Sequence, residues 1–448
     1  MRYDLLTAKV RNLAPHWTSI VALALYLTLV QPLSAPFASA LSPPQDPGST
    51  KQKREIVVAT QISYGAERAI FTRLLNDYEK QHPETQITIR FFRGDYSDSI
   101  NAWIQQGSGP ELFYWYSGAH TDRLAREGKL RELSAVWQKS ALESKLDSYT
   151  VEAVMYQGRP YAIPVSFYPW TFYYRASLFE KYQLNVPQNW AELINACKVF
   201  SAEGRSLISL GHENIWPSLI WFDYLSLRLW GKDFYLRLLG KKAQWNGEEV
   251  REVLVYLKQA IDAKCFNTQS HRELNLVSAL PRLYHERALM QLTGAYTLGN
   301  LPKSIRADFR AAPFPKIKDK LAMFTVVPVD TYSVPYYAKL DEHLLSLLSY
   351  LANQEFQLQL NMPASRLPPN LEAQPYILDA LQRETLSFID QAPRTLYFDR
   401  ESHPQLAMDI AHVLVDFFDK PDIELTLKRL KSASDEFYRK HPEFALEY

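Results

Sequence analysis

No stretch of the 448-residue chain carries the residue spacing of a familiar catalytic device. There is no G-x-S-x-G, no H-E-x-x-H, no phosphate-cradling P-loop and no G-x-G-x-x-G. The ten histidines are scattered singly, which reads as surface or core histidines. Adjacent carboxylates such as Glu248-Glu249 and Asp341-Glu342 fall at helix starts, where they complement the helix dipole. The chain therefore reads as no enzyme, and no cofactor or resident metal is expected. Its chemistry-bearing residues are instead aromatic and polar groups in loops: Ser63 and Tyr64, Gly94-Asp95-Tyr96, Tyr114-Trp115-Tyr116-Ser117-Gly118, Ile215-Trp216-Pro217 and Gly294-Ala295-Tyr296. Groups of this kind hold a small molecule rather than transform it. The tyrosine pairs Tyr173-Tyr174 and Tyr336-Tyr337 have the hard phenolate oxygens that bind ferric ion, although packing accounts for them more simply.

The elements that must position these loops follow from pattern. Ile56–Thr60 is a short continuous apolar run of the kind found in a sheet covered on both faces. A helix over 66–82 follows, with Ile70, Leu74 and Tyr78 on one stripe and Pro83 to end it. The strand Ile87–Phe92, a helix over Ser99–Gln106, a Gly/Pro break and the strand Leu112–Tyr116 complete a doubly wound α/β opening. Ligands in such sheets sit beyond the carboxyl ends of the strands, and that is where the first three aromatic loops meet. Further along, Gln157–Phe200 reads as an extended apolar crossing, a short helix, and a helix capped by Asn189 with Glu192 three residues on. A clean amphipathic helix is expected over Gly247–Lys264, another helix over 276–286, a strand over Ala288–Thr293, extended structure over Phe309–Pro315, and one long helix over Asp341–Asn361.

A chain of this length suggests two or more domains. At 47% hydrophobic and 13% aromatic it can bury large cores, which excludes global disorder. The formal charge is +1; residues 1–40 hold three basic residues and one acidic, leaving −1 for the rest. Such balance gives no push toward nucleic acid or an anionic membrane, and a monomer is expected. Residues 1–40 look like a signal peptide: basic residues, the uncharged run Thr18–Val30, then Ala38-Ser39-Ala40 as a small-x-small cleavage site. The run is too short to span a bilayer comfortably, so a protein cleaved after about Ala40 and released into the periplasm is expected. Residues 41–53 read as a flexible lead. Cys197 and Cys265 both fall on apolar helix faces as core thiols; an oxidising compartment permits a bridge, but spacing does not show one.

The order of several fragments resembles extracellular solute-binding proteins of family 1, the maltose-binding type. Residues 157–200 resemble the family's lobe crossover, with G-x-x-Y-x-I-P, an aromatic strand ending in Tyr173-Tyr174, L-F-x-K and P-x-x-W-x-E-L around Trp190. Tyr96–Phe113 is similar to its G-x-x-P-D segment, with Glu111 where Asp is usual. Ala288–Tyr296 resembles A-M-x-x-x-G-x-W, with Tyr296 in place of Trp. The final helix resembles the family's closing one, and the match spans most of the chain after residue 40.

The resemblance implies a two-lobe clamshell of the type II periplasmic-binding class, each lobe a doubly wound sheet flanked by helices and joined by three crossings. One lobe would hold residues 54–163 plus 312–361, the other 164–311 plus 362–448. It implies a periplasmic receptor that carries a sugar or oligosaccharide to an ABC importer in the inner membrane. Alternatives are a non-sugar solute, such as a polyamine or ferric ion, and presentation of the ligand to a membrane sensor. By position, Trp115 and Tyr296 would grip the ligand from opposite lobes, residues around Ser166–Trp170 would contact it from the hinge, and Tyr397 lies near another aromatic position. Sugars offer C–H patches that pack on aromatic faces and hydroxyls that need partners when buried. Trp115, Tyr116, Trp170, Trp216 and Tyr296 would supply faces; Asp95, Glu213 and Asp223 would accept hydroxyl hydrogen bonds.

Overall fold

The computed structural model describes residues 53–62, 65–92 and 96–446; the expected signal peptide, Tyr64 and Asp95 lie outside them. Among the described residues, twelve strands run β1 Arg54–Thr60, β2 Thr85–Phe91, β3 Leu112–Tyr116, β4 Met155–Tyr156, β5 Arg159–Pro160, β6 Ala162–Phe167, β7 Trp170–Arg175, β8 Met290–Gly294, β9 Phe309–Ala312, β10 Thr325–Val326, β11 Val329–Ser333 and β12 Arg394–Thr395. Ten of them form two five-stranded sheets, and β4 pairs with β5 in a hairpin.

The first sheet has the order β2-β1-β3-β11-β6. β1 pairs in parallel with β2 and β3, as the strand-helix-strand opening predicts. Parallel strands covered on both faces should be apolar throughout, and Ile56, Val58, Ala59, Leu112 and Phe113 are all buried. The helix Gly65–Gln81 and those after β11 cover one face, burying Phe71, Leu74, Leu347 and Phe356 with Ile56 and Leu112. The helices Tyr96–Gln106 and Ala119–Arg126 cover the other, around Phe113 and Trp115.

The second sheet has the order β12-β10-β7-β8, with β9 also on β7. It is largely antiparallel: β7 runs against β8, β9 and β10. Beneath it lies the helix Leu219–Leu229, every residue of which is buried. Eight of its eleven residues are apolar and fall on every face, which predicts burial all round.

The backbone crosses between the sheets three times. It leaves the first sheet after Phe167 and enters the second at Trp170. It returns between Val326 and Val329, not near Ala312 as expected, because β9 and β10 both find their ladder partners in β7. The third crossing follows the helix Gln354–Asn361, where Phe167 and Leu367 exchange backbone hydrogen bonds at 3.0 and 2.9 Å. Phe167, Val327, Val329 and Leu367 bury one another where the crossings meet.

Two other expectations need correction. The long helix over 341–361 is two, Glu342–Leu351 and Gln354–Asn361, because Asn353 caps the second by accepting from Phe356 N at 2.8 Å. The helix expected over 276–286 is only Pro281–Tyr284, and the residues before it become an irregular segment whose role is described below. The cap at Asn189 forms as expected, its Oδ1 accepting from Glu192 N at 3.0 Å while Glu192 Oε2 accepts from Gln188 N at 2.8 Å. Cys197 and Cys265 are disulfide-bonded, tying that helix to the end of the helix Glu248–Asp262. Among the described residues, no helix is long and apolar enough to cross a membrane.

Candidate functional site

A cavity of about 800 Å³ is lined by residues of both sheets and of the crossings, a volume within the usual range for small-molecule sites. Its wall on the second-sheet side is aromatic. Trp170 opens β7 and meets Trp216 and Tyr296 edge-on at 5.6 and 6.3 Å, and Tyr397 at a tilt at 5.1 Å; Tyr168 meets Tyr296 edge-on at 5.1 Å. Edge-to-face packing of this kind holds each ring against its neighbour. Trp170 and Tyr397 are almost wholly buried, whereas Trp216 and Tyr296 are half-buried and so present faces. Tyr296 lies over Gly294, where a Cβ would meet its ring at 2.5 Å. That close approach is why glycine ends β8.

The other side is polar and charged. In β3 successive side chains alternate between faces: Tyr114 and Tyr116 line the cavity, while Trp115 is buried with Phe113 beneath the helices of the opposite face. Trp115 is therefore turned away from the cavity that it was expected to line, and Tyr116 lines it instead. Asp330 lies opposite both Tyr116 and Ser166, at the point where the β11–β6 register shifts. Irregularities of this kind re-aim side chains near sites. Its carboxylate accepts from Ser166 Oγ at 3.3 Å and Tyr168 Oη at 3.4 Å. Ser166, itself buried, thus serves the cavity from behind Asp330.

Two guanidiniums complete the lining. Arg366, in the third crossing, pairs with Glu67 at 3.2 Å and lies 5.8 and 6.0 Å from the rings of Tyr168 and Tyr296. Burial works against its charge, but Glu67 and then Asp330 outweigh it and hold its pKa above the ordinary value. Arg400 pairs with Asp399 at 3.1 Å and lies 3.6 Å over the ring of Tyr116. Burial pushes the Tyr116 phenol up to about 12, Arg400 opposing. The backbone of Arg400 abuts Gly118, which has φ 69° and whose Cβ would meet Arg400 O at 2.5 Å; only glycine admits this contact. His120 Nε2 lies 2.6 Å from Asp399 O, and burial, then Arg400, hold its imidazole well below its usual pKa, hence neutral.

Of the sequence-selected residues, Tyr116, Trp170, Trp216, Tyr296 and Tyr397 are brought together on the cavity, with Ser166 behind it and Trp115 turned away. Asp223 is fully buried in the helix Leu219–Leu229, where its carboxylate accepts from Phe398 N at 3.0 Å; it holds the Tyr397 loop rather than a ligand. Glu213 accepts from Asn275 Nδ2 at 2.9 Å, clamping two loops that reach the rim. The tyrosine pairs lie elsewhere, with Tyr336 and Tyr337 donating to backbone carbonyls of Ile104 and Pro110. Sequence reasoning missed Glu67, Asp330, Arg366, Asp399 and Arg400. Only Arg366 had a local signal, its place just before the Pro368-Pro369 crossing.

Two sheets, three crossings and a cavity between aromatic and charged walls define a ligand-binding clamshell of the type II periplasmic class. The chain belongs to the family described as bacterial extracellular solute-binding protein, whose pattern matches residues 63–358. Two ABC transporter extracellular-binding proteins of Pyrococcus horikoshii are similar to it. One is 21% identical, covering 83% of this chain and 82% of that protein; the other is 25% identical, covering 72% and 75%. Among solved structures, the bacterial solute receptor AcbH, with exclusive preference for β-D-galactopyranose, superposes with a TM-score of 0.79 at 20% identity, covering 86% of this chain and 99% of that one. A maltose-bound MalE3 of T. maritima gives 0.72 at 16% identity, covering 86% and 99%.

Proposed function

We propose that this protein captures a sugar or oligosaccharide in the cleft and delivers it to an ABC importer in the inner membrane. The observation that carries the reading is the aromatic wall of Trp170, Trp216, Tyr296 and Tyr397 facing a wall of carboxylates and guanidiniums. Aromatic faces suit the C–H patches of a pyranose, and the charged groups form the stronger, charge-assisted hydrogen bonds to its hydroxyls. The same combination serves binding without chemistry, and no catalytic role is assigned to any residue. Support for the importer comes from the names of the Pyrococcus proteins, and support for a sugar from the galactose- and maltose-binding structures. Hinge closure of the two lobes about the crossings would enclose the ligand. Export follows from the sequence of residues 1–40, with cleavage after about Ala40.

The test is a thermal-shift screen of the chain from Leu41 onward against mono- and oligosaccharides, amino acids, polyamines and ferric citrate. A ligand that binds only the native state stabilises it by ~2.7 kcal/mol at a hundred times Kd. A shift confined to saccharides is the expected result. A shift with an amine or iron and none with sugars would replace the ligand class while keeping the clamshell.

A further inference from the structure

The two guanidiniums of the cleft raise a question that an aromatic wall does not. Arginine in a binding cleft ordinarily reads carboxylates and phosphates, which would direct this site toward sugar acids. Each guanidinium here is already matched. Arg366 Nη1 meets Glu67 Oε1 at 3.2 Å and Arg400 Nη1 meets Asp399 Oδ2 at 3.1 Å. Asp330 adds a third carboxylate to the same lining, held by Ser166 and Tyr168, while buried His120 is neutral. Three carboxylates stand against two guanidiniums.

We propose that Glu67 and Asp399 make the cleft selective for uncharged sugars: by neutralising Arg366 and Arg400, they deny a sugar acid or sugar phosphate the cationic partner it needs. The proposal rests on the sugar-binding reading and narrows it. Each ion pair engages Nη1, and the Nε of each arginine has no hydrogen-bond partner among the described residues. Donors therefore remain for the oxygen of a neutral hydroxyl. A ligand carboxylate would instead meet a lining in which carboxylates outnumber guanidiniums, in a partly desolvated site where charge repulsion is screened far less than in water. It would also lose its own hydration without gaining net compensation. A neutral hydroxyl incurs neither cost.

The experiment is calorimetric titration of the purified protein at pH 7 with matched series: galactose, glucose and xylose, the oligosaccharides of each, and the corresponding galacturonate, glucuronate and sugar 1-phosphates. The expected result is that a neutral sugar binds and its acid or phosphate counterpart binds at least 100-fold more weakly. Glu67→Gln and, separately, Asp399→Asn should narrow that ratio at least tenfold by leaving one arginine uncompensated. Acid counterparts binding within tenfold of the neutral sugar would overturn the proposal and leave the sugar reading standing. So would a folded Glu67→Gln protein, checked by circular dichroism, with an unchanged ratio. If neither variant folds, the wild-type ratio alone decides. Silence from every sugar, charged or not, would remove the sugar reading and the proposal with it.

Discussion

The guanidinium of Arg400 lies 3.6 Å above the ring of Tyr116, joining the short helix Phe398–Glu401 to the carboxyl end of β3. This contact links a residue that follows the second sheet to one in the first. Lysine keeps the charge but loses the flat stack and the forked geometry. A cation over an aromatic face contributes roughly 0.5–2 kcal/mol depending on desolvation. Arg400→Lys is therefore expected to weaken the best sugar of the screen about tenfold, by calorimetry, with only a small fall in melting temperature. Unchanged affinity would place Arg400 outside the ligand's reach.

Trp216 and Tyr296 present half-buried faces to the cavity, whereas Trp115 is enclosed in the core. Alanine at either cavity position should weaken sugar binding by roughly tenfold or more, since about 1.4 kcal/mol is a factor of ten. Trp115→Phe should lower the melting temperature, because the smaller ring leaves a void, while Kd stays the same. The reverse pattern, a Kd change at Trp115 and none at the other two, would show the cavity assignment to be wrong.

The contrast between Trp115 and Tyr116 also shows how far the sequence could be read. The strand itself was legible to the residue, Leu112–Tyr116, because five consecutive apolar and aromatic residues after a Gly/Pro break leave little choice. Which face each aromatic takes was not, because with both sides of the sheet covered the pattern carries no alternation. The aromatic half of the cavity was visible through its residue types. The charged half was not: Glu67, Asp330, Arg366 and Arg400 are spread over some three hundred residues and meet only through three crossings. Surface-looking residues such as these acquire a role from topology, which local periodicity does not encode.

The disulfide between Cys197 and Cys265 closes a loop with a sequence separation of 68. On the chain-entropy account a loop of that size stabilises the folded state by about 4 kcal/mol, chiefly by restricting the unfolded chain. Replacing both cysteines with serine should cost that much or somewhat more, since both positions are fully buried. Denaturant unfolding would read the change in midpoint. A loss of under about 1 kcal/mol would show that the bridge contributes little beyond what packing already supplies.

His212 and His271 sit with their Nδ1 atoms 3.0 Å apart, between the two loops whose tips carry Asn214, Trp216, Asn275 and Val277 to the cavity. The loops are zipped by His212 N to His271 O at 2.7 Å and Glu213 N to Leu274 O at 2.9 Å. Asp419 lies 2.8 Å from His271 Nε2. Arg272, paired with Asp416 and Asp419, is the nearby cation, and Phe418 packs on both imidazoles. Burial, then His271 and Arg272, hold His212 well below the usual histidine pKa. A depressed folded-state pKa means that the unfolded chain takes up a proton first. The contribution of His212 to stability is therefore complete above its unfolded value of about 6.5 and is lost as pH falls toward the folded value. His212→Gln removes this titration. The stability gap between wild type and variant should thus narrow steadily as pH is lowered from 7.5 to about 5, in urea titrations at each pH. A gap that stays constant would mean that His212 titrates alike in the folded and unfolded chains.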